Sequence, residues 1–143
     1  MNTKLQELII NGLYPEAEKN LQKIEVNLQM GTLLKIGFDT ENINVYTFTI
    51  FMLSKNETGD LHVLASRLLA LPFCHIEGAY QSSVMHLKRA IELEPENIDY
   101  LIFLLFFYEI PDQVISKDEA KEVAQRILNY DPSNQIAQKI LKS

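Results

Sequence analysis

The sequence is short of the residues that build covalent or extended frameworks. It holds one cysteine, Cys74, no tryptophan, and only five glycines and five prolines in 143 residues. A lone cysteine cannot close an internal disulfide, so nothing demands an oxidising compartment and a reduced cytosol is the expected home. The glycines, Gly12, Gly31, Gly37, Gly59 and Gly78, are scattered and not grouped to expose successive backbone amides, which argues against a phosphate-cradling loop. Long apolar runs are missing as well. The longest, Tyr100 to Tyr108, covers nine residues, about half of the roughly 20 a helix needs to cross a bilayer, so it reads as a buried helix or an interface. The stretch Met1 to Glu7 lacks the basic start and apolar core of a secretory signal, and the protein is expected to stay where it is made. Neither low-complexity sequence nor the length for a second independent domain is present, so one domain over 1–143 is expected.

Positive charge is the other scarcity. The net charge is −6, and it is unevenly placed: residues 1–89 carry nine acids and eight bases, whereas 90–122 carry nine acids against Lys117 and Lys121. A field of that sign repels nucleic-acid phosphates and steers in a basic protein. Part of it has a local cause, because Asp118 and Glu119 fall in a first helical turn, where the macrodipole favours acids.

What the sequence does have is helical periodicity from end to end. Hydrophobic residues make up 47%, and they recur at three- and four-residue spacing, as in Leu5, Leu8 and Ile9, then Ala17, Leu21, Ile24 and Leu28. Pro15 suits the first turn of a second helix, and Gly37 reads as the stop of a third. The stretch Ile43 to Leu53 is rich in β-branched and aromatic side chains that favour strands. A lone strand would have no partner, so helix is expected here too, capped by Thr40 or Asn42 and burying Tyr46, Ile50 and Leu53. Asp60 is expected to cap the next helix, which Pro72 ends. A helix from about Ile76 to Leu93 follows, then Ile98 to Glu109, apolar on nearly every side. Ser116 and Glu119 have capping-box spacing and start a helix that runs to Asn129, and a last helix spans Pro132 to Leu141.

Lys88 to Asn97 aligns with Gln125 to Asn134 at an offset of 37, matching Arg89 with Arg126, Glu94 with Asp131, Pro95 with Pro132 and Asn97 with Asn134. Each copy ends a helix, turns at an acid-proline pair and starts another. The pattern, over Ile76 to Leu141, resembles the tail of a tetratricopeptide repeat, in which an alanine precedes the turn proline by five positions, as Ala90 precedes Pro95. The usual period is about 34, and the loop Ile110 to Ile115 has room for the three extra residues. The second copy carries Ile127 in place of that alanine, and Pro72 interrupts the region where the first helix of an earlier repeat should lie. Two partial repeats fall short of a free-standing solenoid, so the N-terminal half is expected to cover the exposed face. The expected fold is thus all-α, with antiparallel helical hairpins stacked as a short tetratricopeptide-like α-α superhelix: N-terminal helical pairs over 1–59, then repeats with a capping helix over 60–143.

Reactive constellations are weak. His62, His75 and His86 are too far apart in sequence for a local metal box. Cys74, His75 and Glu77 are neighbours in sequence, and adjacent residues rarely face one another. Glu92, Glu94 and Glu96 ring a polar helix end, where solvated carboxylates are the rule. No enzyme, cofactor or metal is expected. The aromatic segment Tyr100, Phe103, Phe106, Phe107 and Tyr108 reads first as core; with one stripe left uncovered it becomes an apolar centre with an acidic rim, the composition of a site for a basic partner.

Leu71 to Tyr80 (LPFCHIEGAY), Arg89 to Pro95 (RAIELEP) and Leu104 to Pro111 (LLFFYEIP) resemble small helical proteins of Gram-positive bacteria, immunity proteins of polymorphic toxin systems similar to those of contact-dependent growth inhibition. The resemblance spans about residues 60–140 and rests on turns and packing residues. It implies a cytoplasmic protein that binds a cognate toxin domain, a basic one, and blocks it by occupation, with no nucleic acid or membrane as partner. The residues expected to carry binding are Glu92, Glu94, Glu96, Asp99, Glu109 and Asp112 as a charged rim, and Tyr100, Phe103 and Phe107 as anchors. The alternative is a tetratricopeptide-like adaptor that grips a peptide or assembles a complex.

Overall fold

The computed structural model describes residues 2–143, which are all-helical. Nine helices follow one another: α1 (Thr3–Ile10), α2 (Tyr14–Leu21), α3 (Val26–Thr40), α4 (Asn44–Lys55), α5 (Gly59–Ala70), α6 (Ala79–Leu93), α7 (Ile98–Glu109), α8 (Lys117–Tyr130) and α9 (Gln135–Lys142). From α4 onward the main contacts join helices adjacent in sequence, and α5 against α6 is the most extensive of these seams. Among the described residues no helix is long and apolar enough to cross a membrane.

Two apolar clusters result, and α5 is their common wall. Leu64 and Leu68 face the N-terminal cluster with Leu5, Ile9, Phe48 and Phe73. Val63 and Ala70 face the C-terminal one with Leu87, Leu101, Leu105 and Ile127. A helix apolar on two sides has to be sandwiched to satisfy both, which places α5 at the centre of the chain's packing.

The strand-prone segment is helical, as expected, but it buries a different face. Val45, Phe48 and Met52 are buried, while Tyr46, Ile50 and Leu53 are only half-buried. Both faces are apolar, so periodicity alone does not choose between them; packing against α1, α2 and α5 does. Thr49 enters the core because its hydroxyl donates to the Val45 carbonyl at 3.0 Å. Ile43 occupies the N-cap position of α4 and no side chain caps it; the expected cap Asn42 instead accepts from the Asn44 amide at 2.9 Å in the turn before the helix.

Gly37 does not stop α3. The helix runs on to Thr40 and turns off at Glu41, which takes a left-handed φ of 48°. Gly37 lies where α3 crosses α5, and a Cβ there would sit 2.7 Å from Leu68 Cδ2 and 3.3 Å from Pro72 Cγ. It is a close-approach glycine. The cap of α5 is Thr58, whose hydroxyl accepts from the Leu61 amide at 3.2 Å, and Asp60 sits inside the first turn. At α8 only half of the capping box forms: Ser116 accepts from the Glu119 amide at 3.1 Å, while the Glu119 carboxylate pairs instead with Lys88 at 2.7 Å and ties α8 to α6.

The repeat is a structural one. Glu94 and Asp131 close α6 and α8 with nearly identical backbone angles, φ −137°, ψ 75° and φ −138°, ψ 84°. Asn97 and Asn134 then cap α7 and α9, accepting from the Tyr100 and Ala137 amides. The matched arginines do the same work as well. Arg89 reaches back to Glu57, just before α5, and Arg126 reaches back to the Pro95 carbonyl, just before α7. Because α5 ends at Ala70, Pro72 falls in the connection between α5 and α6 and interrupts no helix. Helices α5 and α6 therefore form a pair equivalent to α7 and α8.

Candidate protein-binding surface

The expected rim residues divide between the two ends of α7. Glu92 closes the exposed last turn of α6, Glu94 and Glu96 occupy the turn after it, and Asp99 opens α7, so these four share one corner of the molecule and all are exposed. Glu109 and Asp112 lie at the other end of α7, about 15 Å along the helix axis at 1.5 Å per residue. The single continuous ring expected from the sequence is thus two acidic poles. Among the described residues Glu92 has a cation within reach, Arg89 at 3.4 Å, whereas Glu94, Glu96, Asp99, Glu109 and Asp112 form no ion pair.

Two of the three expected anchors are interior residues. Phe107 has no exposed surface and Tyr100 is 4% exposed, so neither is available to a partner. The Tyr100 hydroxyl lies 2.6 Å from Asp60 Oδ1 and 2.9 Å from Glu94 Oε2. Burial, then the bonds to these two carboxylates, hold the phenol above its ordinary ionisation range. Gly59 makes the contact possible, since a Cβ there would collide with the Glu94 carboxylate and lie 2.9 Å from the Tyr100 oxygen. Tyr100 is a strut that fixes the acidic corner against the start of α5. Phe103 is half-buried. It stacks on Phe106 at 6.0 Å between centroids and carries the Arg67 guanidinium 5.8 Å from its ring centre. The uncovered stripe of α7 is therefore Ile102, Phe103 and Phe106, all partly exposed; the expected anchor Phe103 lies on it, while Tyr100 and Phe107 fall on the opposite side because periodicity does not choose a face in a helix that is apolar all round.

A groove of about 340 Å³ runs between α6 and α8. Buried Ile91, Leu104 and Val123 meet it, and Lys88, Glu92, Glu119, Glu122 and Arg126 wall it, a mixed rather than uniformly acidic lining.

A polar chain, buried at its two histidines, crosses α4, α5 and α6. His62 Nε2 is 2.7 Å from Glu57 Oε2, His62 Nδ1 is 3.0 Å from His86 Nδ1, and His86 Nε2 is 2.8 Å from the Tyr46 hydroxyl. Arg89 clamps Glu57 from outside through two bonds of 2.8 and 2.9 Å. The two histidines are 24 positions apart, so no local spacing announces them; the only signal is that each falls on the apolar face of its helix. Beside them Ser83 Oγ donates to the Ser66 carbonyl at 2.7 Å and accepts from Ser66 Oγ at 2.6 Å. Burial, then the nearby His62, push the His86 imidazole down to about 4, and Arg89, then His62, hold the Glu57 carboxyl down at about 2. His75 lies apart and exposed, as do Cys74 and Glu77. Among the described residues no group of three or more His, Cys, Asp or Glu side chains is placed to hold a metal ion.

Comparison with protein-family models, curated proteins and solved structures returns no match to this chain.

Proposed function

We propose that this chain is an immunity protein: it binds a cognate toxin domain in the producing cell's cytosol and neutralises it by occupation. The observation that carries the reading is the exposed corner where Glu94, Glu96 and Asp99 stand without a cation, with Glu94 held by the Tyr100 hydroxyl. An acidic corner is suited to a basic partner, because rim charges raise the association rate. The partly exposed stripe of Ile102, Phe103 and Phe106 supplies apolar area that such a contact also needs. Glu92 contributes less, because Arg89 already offsets it.

The test is a search of the gene neighbourhood for a toxin domain, co-expression with the one found, and titration of the purified pair. Replacing both Glu96 and Asp99 with lysine leaves the Tyr100 strut intact, and it is expected to weaken binding at least about tenfold at low salt and to flatten its salt dependence. Unchanged affinity and unchanged salt dependence would remove the acidic corner from the mechanism. The second reading, an adaptor that grips a peptide, draws on the paired helices α5–α6 and α7–α8 and on the groove between α6 and α8. A gene neighbourhood without a toxin favours it, with Lys88, Glu119 and Arg126 as the residues to replace.

A further inference from the structure

With both imidazoles neutral, the chain of Tyr46, His86, His62 and Glu57 has one arrangement of protons that satisfies every contact. Glu57 is a carboxylate and only accepts, so His62 Nε2 must carry a hydrogen and donate to it. A neutral His62 then has a bare Nδ1, and the 3.0 Å contact is satisfied only if His86 Nδ1 carries the hydrogen. That leaves His86 Nε2 bare to accept from the Tyr46 hydroxyl. Burial holds this phenol above its ordinary ionisation range, so it keeps its proton to donate. Every donor thus points the same way, from α4 through α6 and α5 to the connection before α5, and no buried side-chain nitrogen or oxygen among the described residues lacks a partner.

Protonation acts on this arrangement in two unequal steps. One added proton is accommodated by reversal: it arrives at His86 Nε2, the hydrogen on His86 Nδ1 passes to His62 Nδ1, and His62 becomes an imidazolium held by Glu57. Tyr46 then accepts from His86 and turns its own hydrogen to solvent, which its half-buried position permits. A second proton has no such outlet. It would sit on His86 Nδ1 and point at the hydrogen on His62 Nδ1, setting two donors and two positive rings against each other inside the α5–α6 seam.

We propose that the His62–His86 pair is a two-step acid switch, in which the first proton reverses the hydrogen-bond chain with the helices in place and the second parts α6 from α5. The groups that face the pair are Tyr46 from α4, Glu57 from the connection before α5, and Arg89 on α6, which is joined at its far side to Glu92. The depressed pKa of His86 agrees with its being the ring that resists the last proton. The seam that opens is the one that joins the two apolar clusters, so the device acts on the whole chain and is independent of which partner it binds.

Nitrogen-15 spectra of the imidazoles in the intact protein, recorded from pH 8 to 3.5 beside amide hydrogen exchange, test it directly. At pH 8 His62 is expected as the Nε2–H tautomer and His86 as the Nδ1–H tautomer. The first protonation reverses His86 with exchange protection intact, and the second coincides with loss of protection along α5 and α6. Finding both rings as Nε2–H tautomers at pH 8, or both fully protonated with the seam still protected, overturns the proposal. As a second arm, His86→Gln can donate to His62 and accept from Tyr46 yet cannot titrate. It is expected to move the acid-unfolding midpoint down by about one pH unit, and an unmoved midpoint in a folded variant also overturns it.

Discussion

Single atoms decide how closely this chain packs. At Gly37 the helix would gain about 1 kcal/mol from alanine by propensity alone, but the added carbon would meet a Leu68 side chain that is fully buried and has nowhere to go. Overpacking is expected to win, and Gly37→Ala should lower stability by about 1–2 kcal/mol, read as a lower urea midpoint with an unchanged slope. At Tyr100 one hydrogen serves two carboxylates. Tyr100→Phe would leave Asp60 and Glu94 facing each other without it, and it is expected to cost about 1–2 kcal/mol. If the phenylalanine variant proved as stable as the parent, the strut that fixes the acidic corner would lose its basis. Neither effect is legible in sequence, where Gly37 reads as a helix stop and Tyr100 as a binding anchor.

Helix boundaries were the most readable feature, because they depend on neighbours in sequence. Helix α7 spans Ile98–Glu109 in both the sequence reading and the structure, and α8 starts after Ser116 as its capping spacing requires. The equivalence of Asn97 and Asn134 gives a test at this scale. Alanine at either position removes a side-chain acceptor from a helix start and is expected to cost about 1 kcal/mol. The consequences should differ by place. Asn134→Ala should let α9 fray locally by hydrogen exchange, since α9 packs chiefly on α8 at the end of the chain, whereas Asn97→Ala should lower the global midpoint, since α7 lies in the middle of the C-terminal cluster. Helix α6 begins at Ala79, three residues after the expected Ile76, because Gly78 takes a left-handed φ of 85° at its start.

For the whole molecule, acid is the informative variable. His86 has a folded pKa of about 4, below its ordinary 6.5, so the unfolded chain binds its proton first. The stability tied to this ring is complete above pH 6.5 and is lost as pH falls toward 4. The loss is on the order of 2 kcal/mol once screening at the open Tyr46 side is allowed for. Glu57, held at about 2 against an ordinary 4.5, gives a second window with the same sign, complete above pH 4.5 and lost as pH falls through 2. Denaturant midpoints measured between pH 8 and 2 should therefore decline in two stages, and Glu57→Gln should abolish the lower one. A flat profile from pH 7 to 4 would mean that the histidines are not coupled as the distances require.

The helices, several of their ends, the 37-residue repeat and the placement of negative charge after residue 89 are legible in the order of residues, because all of these follow from local spacing and composition; the start of α9, expected at Pro132, lies at Gln135 behind its Asn134 cap. Which face each doubly apolar helix buries, as at α4 and α7, is settled by packing. Packing also made α5 the wall between two cores, divided the acidic rim into two poles, and brought His62 and His86 within 3.0 Å across a helix seam. These depend on contacts between residues far apart in the chain, and a residue's own neighbours carry no information about which distant side chain will stand opposite it.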